Sequence, residues 1–157
     1  MSNAERTVDW SNPTGRALAI LALDPNGRVL MTRDMELVRK ILFEIDSWPD
    51  THPRAVRVEG HDDKTVFRHL EMLHEAKLID VYGSVHRSNV TGEIDQILVT
   101  DMSWAGHDFV AALKDASVWN KIKASLSPDQ LARMPLEAMK AVAIYTLTEM
   151  AKRQIHF

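Results

Sequence analysis

The sequence predicts an α+β fold that is mainly helical. Apolar residues recur at helical spacing over residues 32–46 and 63–76, and several later segments up to residue 154 have the same period. Two apolar segments of extended character also flank a polar loop at 86–92. Apolar residues make up 45% of the 157-residue chain and charged residues 26%, which is typical of a globular protein with its own core.

The composition excludes several functional classes. The chain contains no cysteine, which excludes disulfides, thiolate zinc sites and cysteine nucleophiles. The longest apolar run, "ALAILAL" at 17–23, is too short to cross a bilayer and lacks the flanks of a signal peptide, so we expect a cytoplasmic protein without a membrane partner. The net charge of −3 argues against strong nonspecific attraction to nucleic acid.

Residues 1–30 are predicted to form an N-terminal extension. Residues 1–12 are polar with little periodicity and predict a mobile lead-in. Two apolar stretches around the turn signal "DPNG" at 24–27 then predict a β-hairpin, with a short helix as the alternative.

The segment "TRDMELVRKILFEID" at 32–46 predicts an amphipathic helix. Asp34 and Glu36 lie near its start, where the helix dipole favours negative charge, and Trp48-Pro49 ends it. Residues 50–60 are then predicted as a loop with a short extended piece at "AVRVEG".

The next helix is predicted within "DDKTVFRHLEMLHEA", with Asp62 or Asp63 as its N-cap. Its buried stripe consists of Val66, Leu70, Leu73 and Ala76. The segments "LIDVYGSV" and "EIDQILVTDM" predict two strands joined by the polar loop "HRSNVTG". A helix followed by a strand, a loop and a strand forms the core of a winged helix.

Three further helices are predicted towards the C-terminus. The segment "SWAGHDFVAALKDASVWNKIKASL" predicts one helix capped by Ser103, with inward-facing Phe109, Leu113, Trp119 and Ile122. Ser127, Pro128 and Gln130 form a capping-box pattern for a short helix. The last helix, 136–154, is apolar over most of its circumference at 138–147, which predicts a second cover from a partner subunit.

Two resemblances follow from these strings. The string "TVFRHLEMLHEAKLI" resembles many bacterial winged-helix regulators, although Lys77 replaces the usual glycine of the turn. Residues 31–123 resemble the domain-of-unknown-function family 2513, small proteins encoded in bacterial and phage genomes. The most specific residues of this resemblance are Trp104, Gly106, His107, Phe109 and Trp119. It implies a winged-helix-like domain at 31–123. The C-terminal helices at 124–157, predicted from their caps and apolar spacing, are expected to mediate homodimerisation.

The leading functional hypothesis is double-stranded DNA binding by a transcription regulator of phage or mobile-element type. The helix would present Lys64, Thr65, Arg68 and His69 to the major groove, and the loop would present Arg87 and Asn89. Residues 31–100 carry nine basic and thirteen acidic side chains, and two prolines and a glycine interrupt the place of the supporting helix. The alternative is a protein-interaction module on a degenerate winged helix without DNA binding.

No enzyme, cofactor or metal site is predicted. The sequence contains no nucleophile elbow, phosphate loop or dinucleotide fingerprint, so catalysis has no residue to assign. His69 and His74 are five residues apart, about 140° around a helix, and do not share a face as a zinc pair does. His107 is interpreted as a packed residue that fixes the helix start against the wing, and Trp104 and Trp119 as core aromatics.

Overall fold

The computed structural model describes residues 21–23 and 29–155, and its helices follow the amphipathic segments of the sequence. They are α1 (Met35–Asp46), α2 (Asp63–Glu75), α3 (Trp104–Lys114), α4 (Ala116–Ser125), α5 (Pro128–Arg133) and α6 (Leu136–Gln154). The strands are β1 (Leu21–Leu23), β2 (Val29–Met31), β3 (Ile79–Val81), β4 (His86–Arg87), β5 (Ile94–Gln96) and β6 (Val99–Met102). The fold is therefore α+β and mainly helical, as predicted.

The described strands pair antiparallel as β1 with β2, β3 with β6, and β4 with β5. Ile79 of β3 lies opposite Met102 of β6. Arg54, in the loop after α1, forms an isolated antiparallel bridge with Val99, and the two residues exchange backbone hydrogen bonds of 2.9 Å. This bridge adds a third extended segment beside β6, and it lies one residue before the extended piece predicted at 55–60, which forms no strand.

The predicted N-terminal hairpin falls partly within the described residues. Strand β1 pairs with β2, and Leu21 lies opposite Met31 while Leu23 lies opposite Val29. The connecting turn at 24–28 and the predicted lead-in at 1–12 lie outside the described residues.

The strand predicted at 78–85 is shorter than expected, β4 lies within the loop predicted at 86–92, and the strand predicted at 93–102 is divided in two. Residues 82–85 separate β3 from β4, and Gly83 adopts a left-handed backbone with φ of +67° there. Ile97 and Leu98 separate β5 from β6. A hydrogen bond of 2.8 Å from the Tyr82 backbone N–H to the Leu98 carbonyl connects the two pairs. Strands β4 and β5 and their connecting loop, residues 86–96, therefore form an arm beyond β3 and β6, here called the distal hairpin.

The single helix predicted over 103–126 is two helices. The chain is extended at Asp115 (φ −71°, ψ 109°), whose carboxylate accepts hydrogen bonds from the backbone N–H groups of Ser117 and Val118. Asp115 thus caps α4, an arrangement that competes with helix continuation. Trp119 and Ile122, which were predicted to face inward, are buried, because the apolar spacing resumes after the break.

The core is organised around α3, which contacts α1, α4, α6 and β6. Phe109 at its centre is fully buried, and α1 and α2 contribute the apolar stripes predicted from their periodicity. The capping box of α5 forms as predicted, with Ser127 and Gln130 each bonding the other's backbone N–H. No helix among the described residues has both the length and the apolar character needed to cross a bilayer.

Helix α2 ends in a Schellman motif with a lysine at the left-handed position. The Lys77 N–H bonds the His74 carbonyl at 2.9 Å, and the Leu78 N–H bonds the Leu73 carbonyl at 3.0 Å. Lys77 has a φ of +57°, so the helix ends with a non-glycine residue in the left-handed region. Ser103 bonds this turn, since its hydroxyl donates to the Lys77 carbonyl at 2.7 Å and its N–H to the Leu78 carbonyl at 3.0 Å.

Gly106 allows the first turn of α3 to pack against this turn. A Cβ atom at Gly106 would lie 2.2 Å from the Leu78 carbonyl oxygen and 2.4 Å from Cγ of Met102. The nearer atom belongs to the backbone of the chain just before β3 and has little freedom to move. The element that packs against Gly106 is the turn at the end of α2.

We expect Gly106→Ala to lower the free energy of unfolding by about 1–3 kcal/mol, because the added methyl group forces the backbone apart. Helix propensity alone predicts the opposite sign, a gain of about 1 kcal/mol for alanine. Urea unfolding measures the difference. Asp108→Ala, an exposed change on the same helix, is the control and should stay within about 0.5 kcal/mol of the wild type. A Gly106→Ala variant as stable as the wild type would show that α3 has room to move.

Candidate nucleic-acid interface

Three of the predicted DNA-binding residues are cations on the exposed side of α2 and the distal hairpin. Lys64 and Arg68 lie one turn apart on α2, and Arg87 lies in β4. Asp62 caps the helix and accepts hydrogen bonds from the Thr65 N–H at 2.8 Å and the Thr65 hydroxyl at 3.1 Å. The bond from the Thr65 N–H holds the pKa of the Asp62 carboxyl below its usual value. Thr65 is also a predicted DNA-contact residue, and its hydroxyl is hydrogen-bonded to the capping Asp62.

A buried carboxylate joins Arg68 and Arg87. The Glu71 side chain is only 9% exposed, and each of its two oxygens accepts a hydrogen bond from one of these arginines. Arg87 also donates to the Gly92 carbonyl at 3.2 Å, which ties it to the loop of its own hairpin. The two arginine side chains remain 50% and 45% exposed. Glu71 therefore connects α2 to the distal hairpin through one shared carboxylate.

A second ion pair links the same two elements. The Lys64 ammonium lies 2.8 Å from a carboxylate oxygen of Glu93 in the hairpin loop. This hydrogen bond, followed by the attraction of the Glu93 charge, raises the pKa of Lys64. Both groups are largely exposed, so the pair adds little stability by itself. Each of the three predicted cations thus faces an acidic side chain.

His69 does not belong to the exposed surface. Its side chain is 1% exposed, and the ring lies between α2 and the start of α1. Nε2 accepts a hydrogen bond of 2.9 Å from the Asp34 N–H, while Nδ1 lies 2.8 Å from the Thr65 carbonyl. This arrangement requires a neutral ring with the proton on Nδ1. The prediction that His69 reaches DNA is therefore wrong, because the ring is a structural link between two helices.

The loop of the distal hairpin presents Asn89 to solvent, as predicted. Ser88 organises this loop, since its hydroxyl accepts hydrogen bonds from the N–H groups of Val90 and Thr91. Val90 is 93% exposed at the end of the arm. The loop therefore exposes the Asn89 amide and the Val90 side chain to solvent.

The residues that carry the narrower resemblance lie in different environments. Gly106, Phe109 and Trp119 are buried in the core. Trp104 is 87% exposed, so the interpretation of this ring as a core aromatic is wrong. His107 is also exposed, and its Nδ1 lies 3.6 Å from a carboxylate oxygen of Asp46 at the end of α1 rather than against the hairpin. Both rings lie in helices, and helical spacing alone does not distinguish the exposed Trp104 from the buried Trp119.

The segment between α1 and α2 contains no helix. Residues 47–62 form a loop with the Arg54 bridge, and Val56 is its buried apolar anchor. The prediction of a loop at 50–60 is confirmed. Within the part of the chain that the structure describes, no cluster of three or more histidine, aspartate or glutamate side chains could hold a metal ion.

The comparisons with known proteins identify a family. The family model described as "Hypothetical protein (DUF2513)" matches residues 32–130. The match covers well over half of the chain, from α1 into α5, and the chain therefore belongs to this family. No curated protein and no solved structure matches the chain.

The buried ring of His69 predicts a pH dependence of stability. Burial lowers the pKa of this imidazole from its ordinary value of 6.5, so the unfolded chain binds a proton that the folded one excludes. The stabilising contribution is complete above pH 6.5 and is lost as the pH falls towards the lowered value. We expect urea unfolding at pH 5.5 to show a greater loss of stability for the wild type than for His69→Gln. Parallel pH profiles for the two proteins would contradict this role.

Proposed function

We propose that the protein is a winged-helix DNA-binding protein, a transcription regulator of phage or mobile-element type. In this proposal α2 enters the major groove and the distal hairpin acts as the wing. The observation that carries it is the placement of Lys64, Arg68 and Arg87 on the exposed sides of two elements that ion pairs join to each other. A helix and an arm fixed in this way can contact base edges and the phosphate backbone together.

The order of elements supports the winged-helix interpretation. Helix α1, the Arg54 bridge, α2, β3, the distal hairpin and β6 follow one another along the chain, with Val99 of β6 joined to Arg54. A helix followed by an antiparallel arm is the arrangement by which a winged helix meets a groove and the adjacent backbone. The loop at 47–62 replaces a supporting helix, so the proposed fold is a degenerate one.

The charge of this surface predicts modest, salt-sensitive affinity. Lys64, Arg68 and Arg87 face two carboxylates, so the group has one positive charge in excess. The chain as a whole carries a net charge of −3. Affinity through counterion release depends on the number of phosphates that are neutralised, and this surface offers few cations for that. A DNA-binding role also implies a cytoplasmic protein, in line with the expectation from the sequence.

We expect Lys64→Ala and Arg68→Ala each to weaken binding to duplex DNA at low salt. Each change should make the slope of log affinity against log salt shallower by about 1, because one phosphate contact is lost. Fluorescence anisotropy with a labelled duplex measures both quantities. Lys121→Ala is the control, since it removes the same charge from an exposed position on α4. The proposal would be refuted if the wild-type protein did not bind the duplex at low salt, or if all three variants lost the same affinity.

A protein-interaction module is the second candidate. The observation that favours it is the pairing of every proposed DNA-contacting cation with an acidic group, together with the 87% exposure of Trp104. A surface whose charges are already paired suits a partner with mixed charges, and an exposed tryptophan is a frequent anchor in protein interfaces. Failure of DNA binding with a folded protein would favour this candidate.

We also propose that α6 mediates homodimerisation. Only Leu136, Met139 and Ala143 of this helix are fully buried, all of them in its first half. Ile144, Leu147 and Met150 are partly buried and pack against the core, while Tyr145 lies on the other side of the helix from Leu147 and Met150 and is 67% exposed. A second copy is the simplest cover for the exposed Tyr145 ring, because homodimer interfaces are rich in apolar and aromatic residues.

Light scattering at tens of micromolar protein tests the dimer. We expect a dimer for the wild type and a monomer for Tyr145→Glu, because the new charge would be buried without a partner. Gln154→Glu adds the same charge half a helical circumference away, close to the end of α6, and should remain dimeric. A monomeric wild type would remove α6 as the proposed interface.

A further inference from the structure

Glu71 carries a buried negative charge and has more positively charged partners than are needed to neutralise it. Its side chain is 9% exposed, and its helix neighbours Leu70 and Leu73 are fully buried. A carboxylate in such a place requires a positive partner, and one arginine would be sufficient to neutralise it. Glu71 has two, Arg68 from α2 and Arg87 from the distal hairpin. The group therefore keeps one excess positive charge at the surface.

The two arginines have many unused hydrogen-bond donors. A guanidinium group has five N–H donors in a planar fork. Arg68 uses one nitrogen for Glu71, while Arg87 uses one for Glu71 and another for the Gly92 carbonyl. Both side chains are about half exposed. Because they bind the same carboxylate, their guanidinium groups lie close together, and each can bind an external anion without releasing Glu71.

We propose that Arg68 and Arg87 bind one phosphate group together, and that Glu71 is the positioning residue that holds them for it. The inference rests on the proposed function and assigns the ligand as a single backbone phosphate of duplex DNA. Two guanidinium groups this close would repel each other and would have to be ordered on binding. The Glu71 carboxylate offsets the repulsion and orders both side chains before the ligand arrives. Arginine is well suited to the ligand because its fork matches the geometry of phosphate oxygens.

The direction in which Glu71→Gln changes the affinity for DNA tests the positioning role. Glu71→Gln keeps the shape of the side chain and removes its negative charge, so electrostatic attraction alone predicts tighter DNA binding. Positioning predicts weaker binding, by about fivefold, which corresponds to the ordering of one long side chain. Glu75→Gln is the matched control, because Glu75 is exposed one turn further along α2 and its loss removes the same charge. We expect this control to bind DNA slightly more tightly than the wild type.

Anisotropy with the labelled duplex at low salt gives these affinities, and urea unfolding verifies that both variants are folded. In an Arg68→Ala background, Glu71→Gln should have little further effect, since half of the pair is already missing. The Arg68→Ala/Arg87→Ala double variant should lose less affinity than the product of the two single losses. Tighter binding by Glu71→Gln, as in Glu75→Gln, would overturn the positioning role.

A titration without DNA separates this inference from the proposed function. Inorganic phosphate is added to the full chain while the arginine Nε–H signals are followed by NMR, with Arg68→Lys and Arg87→Lys used for assignment. We expect both signals to shift with one common dissociation constant in the wild type, and with weaker affinity in Glu71→Gln. If neither signal shifts, or if only one does, the phosphate pair is refuted whatever DNA does. If both shift and duplex DNA does not bind, the DNA-binding function fails and the phosphate pair stands.

Discussion

The first turn of α3 lies directly against the backbone at Leu78, and Gly106 leaves no side chain between them. Ser103 adds two hydrogen bonds to the same turn, so the end of α2 and the start of α3 form one joint. Strand β3 begins at this joint and pairs with β6, which leads into α3. The orientation of α2 therefore depends in part on a contact just beyond its last residue, where the start of α3 meets the turn at Lys77 and Leu78.

Polar contacts position the distal hairpin on the outer side of α2. Glu71 and Glu93 accept bonds from Arg87 and Lys64 respectively, so each element contributes one acid and one base to the contact. Such reciprocal pairing fixes the arm relative to the helix while leaving few unpaired cations at the surface. The same arrangement leaves one positive charge in excess on this surface, although the chain as a whole has a net charge of −3. Geometry, rather than overall charge, distinguishes this surface from the rest of the protein.

Local signals in the sequence predict most of the helices, whereas contacts between distant residues decide the roles of several side chains. The last helix was predicted at 136–154 and is observed there, because caps and apolar spacing are properties of neighbouring residues. The break at Asp115 was missed because apolar spacing continues on both sides of it. The role of His69 depends on the Asp34 N–H, 35 residues earlier, and the role of Glu71 depends on Arg87, 16 residues later. Helical periodicity has no information about such partners, so the site was only partly predictable.

Lys77 occupies a backbone conformation that is intrinsically unfavourable for any residue with a side chain. The local hydrogen bonds of the Schellman motif hold this conformation, and a hydrogen bond from the Ser103 hydroxyl, 26 residues later, adds to them. The last turn of α2 is therefore stabilised in part by the start of α3. Helices α2 and α3 should open and close as one cooperative unit, so the order of the exposed face of α2 depends on the start of α3.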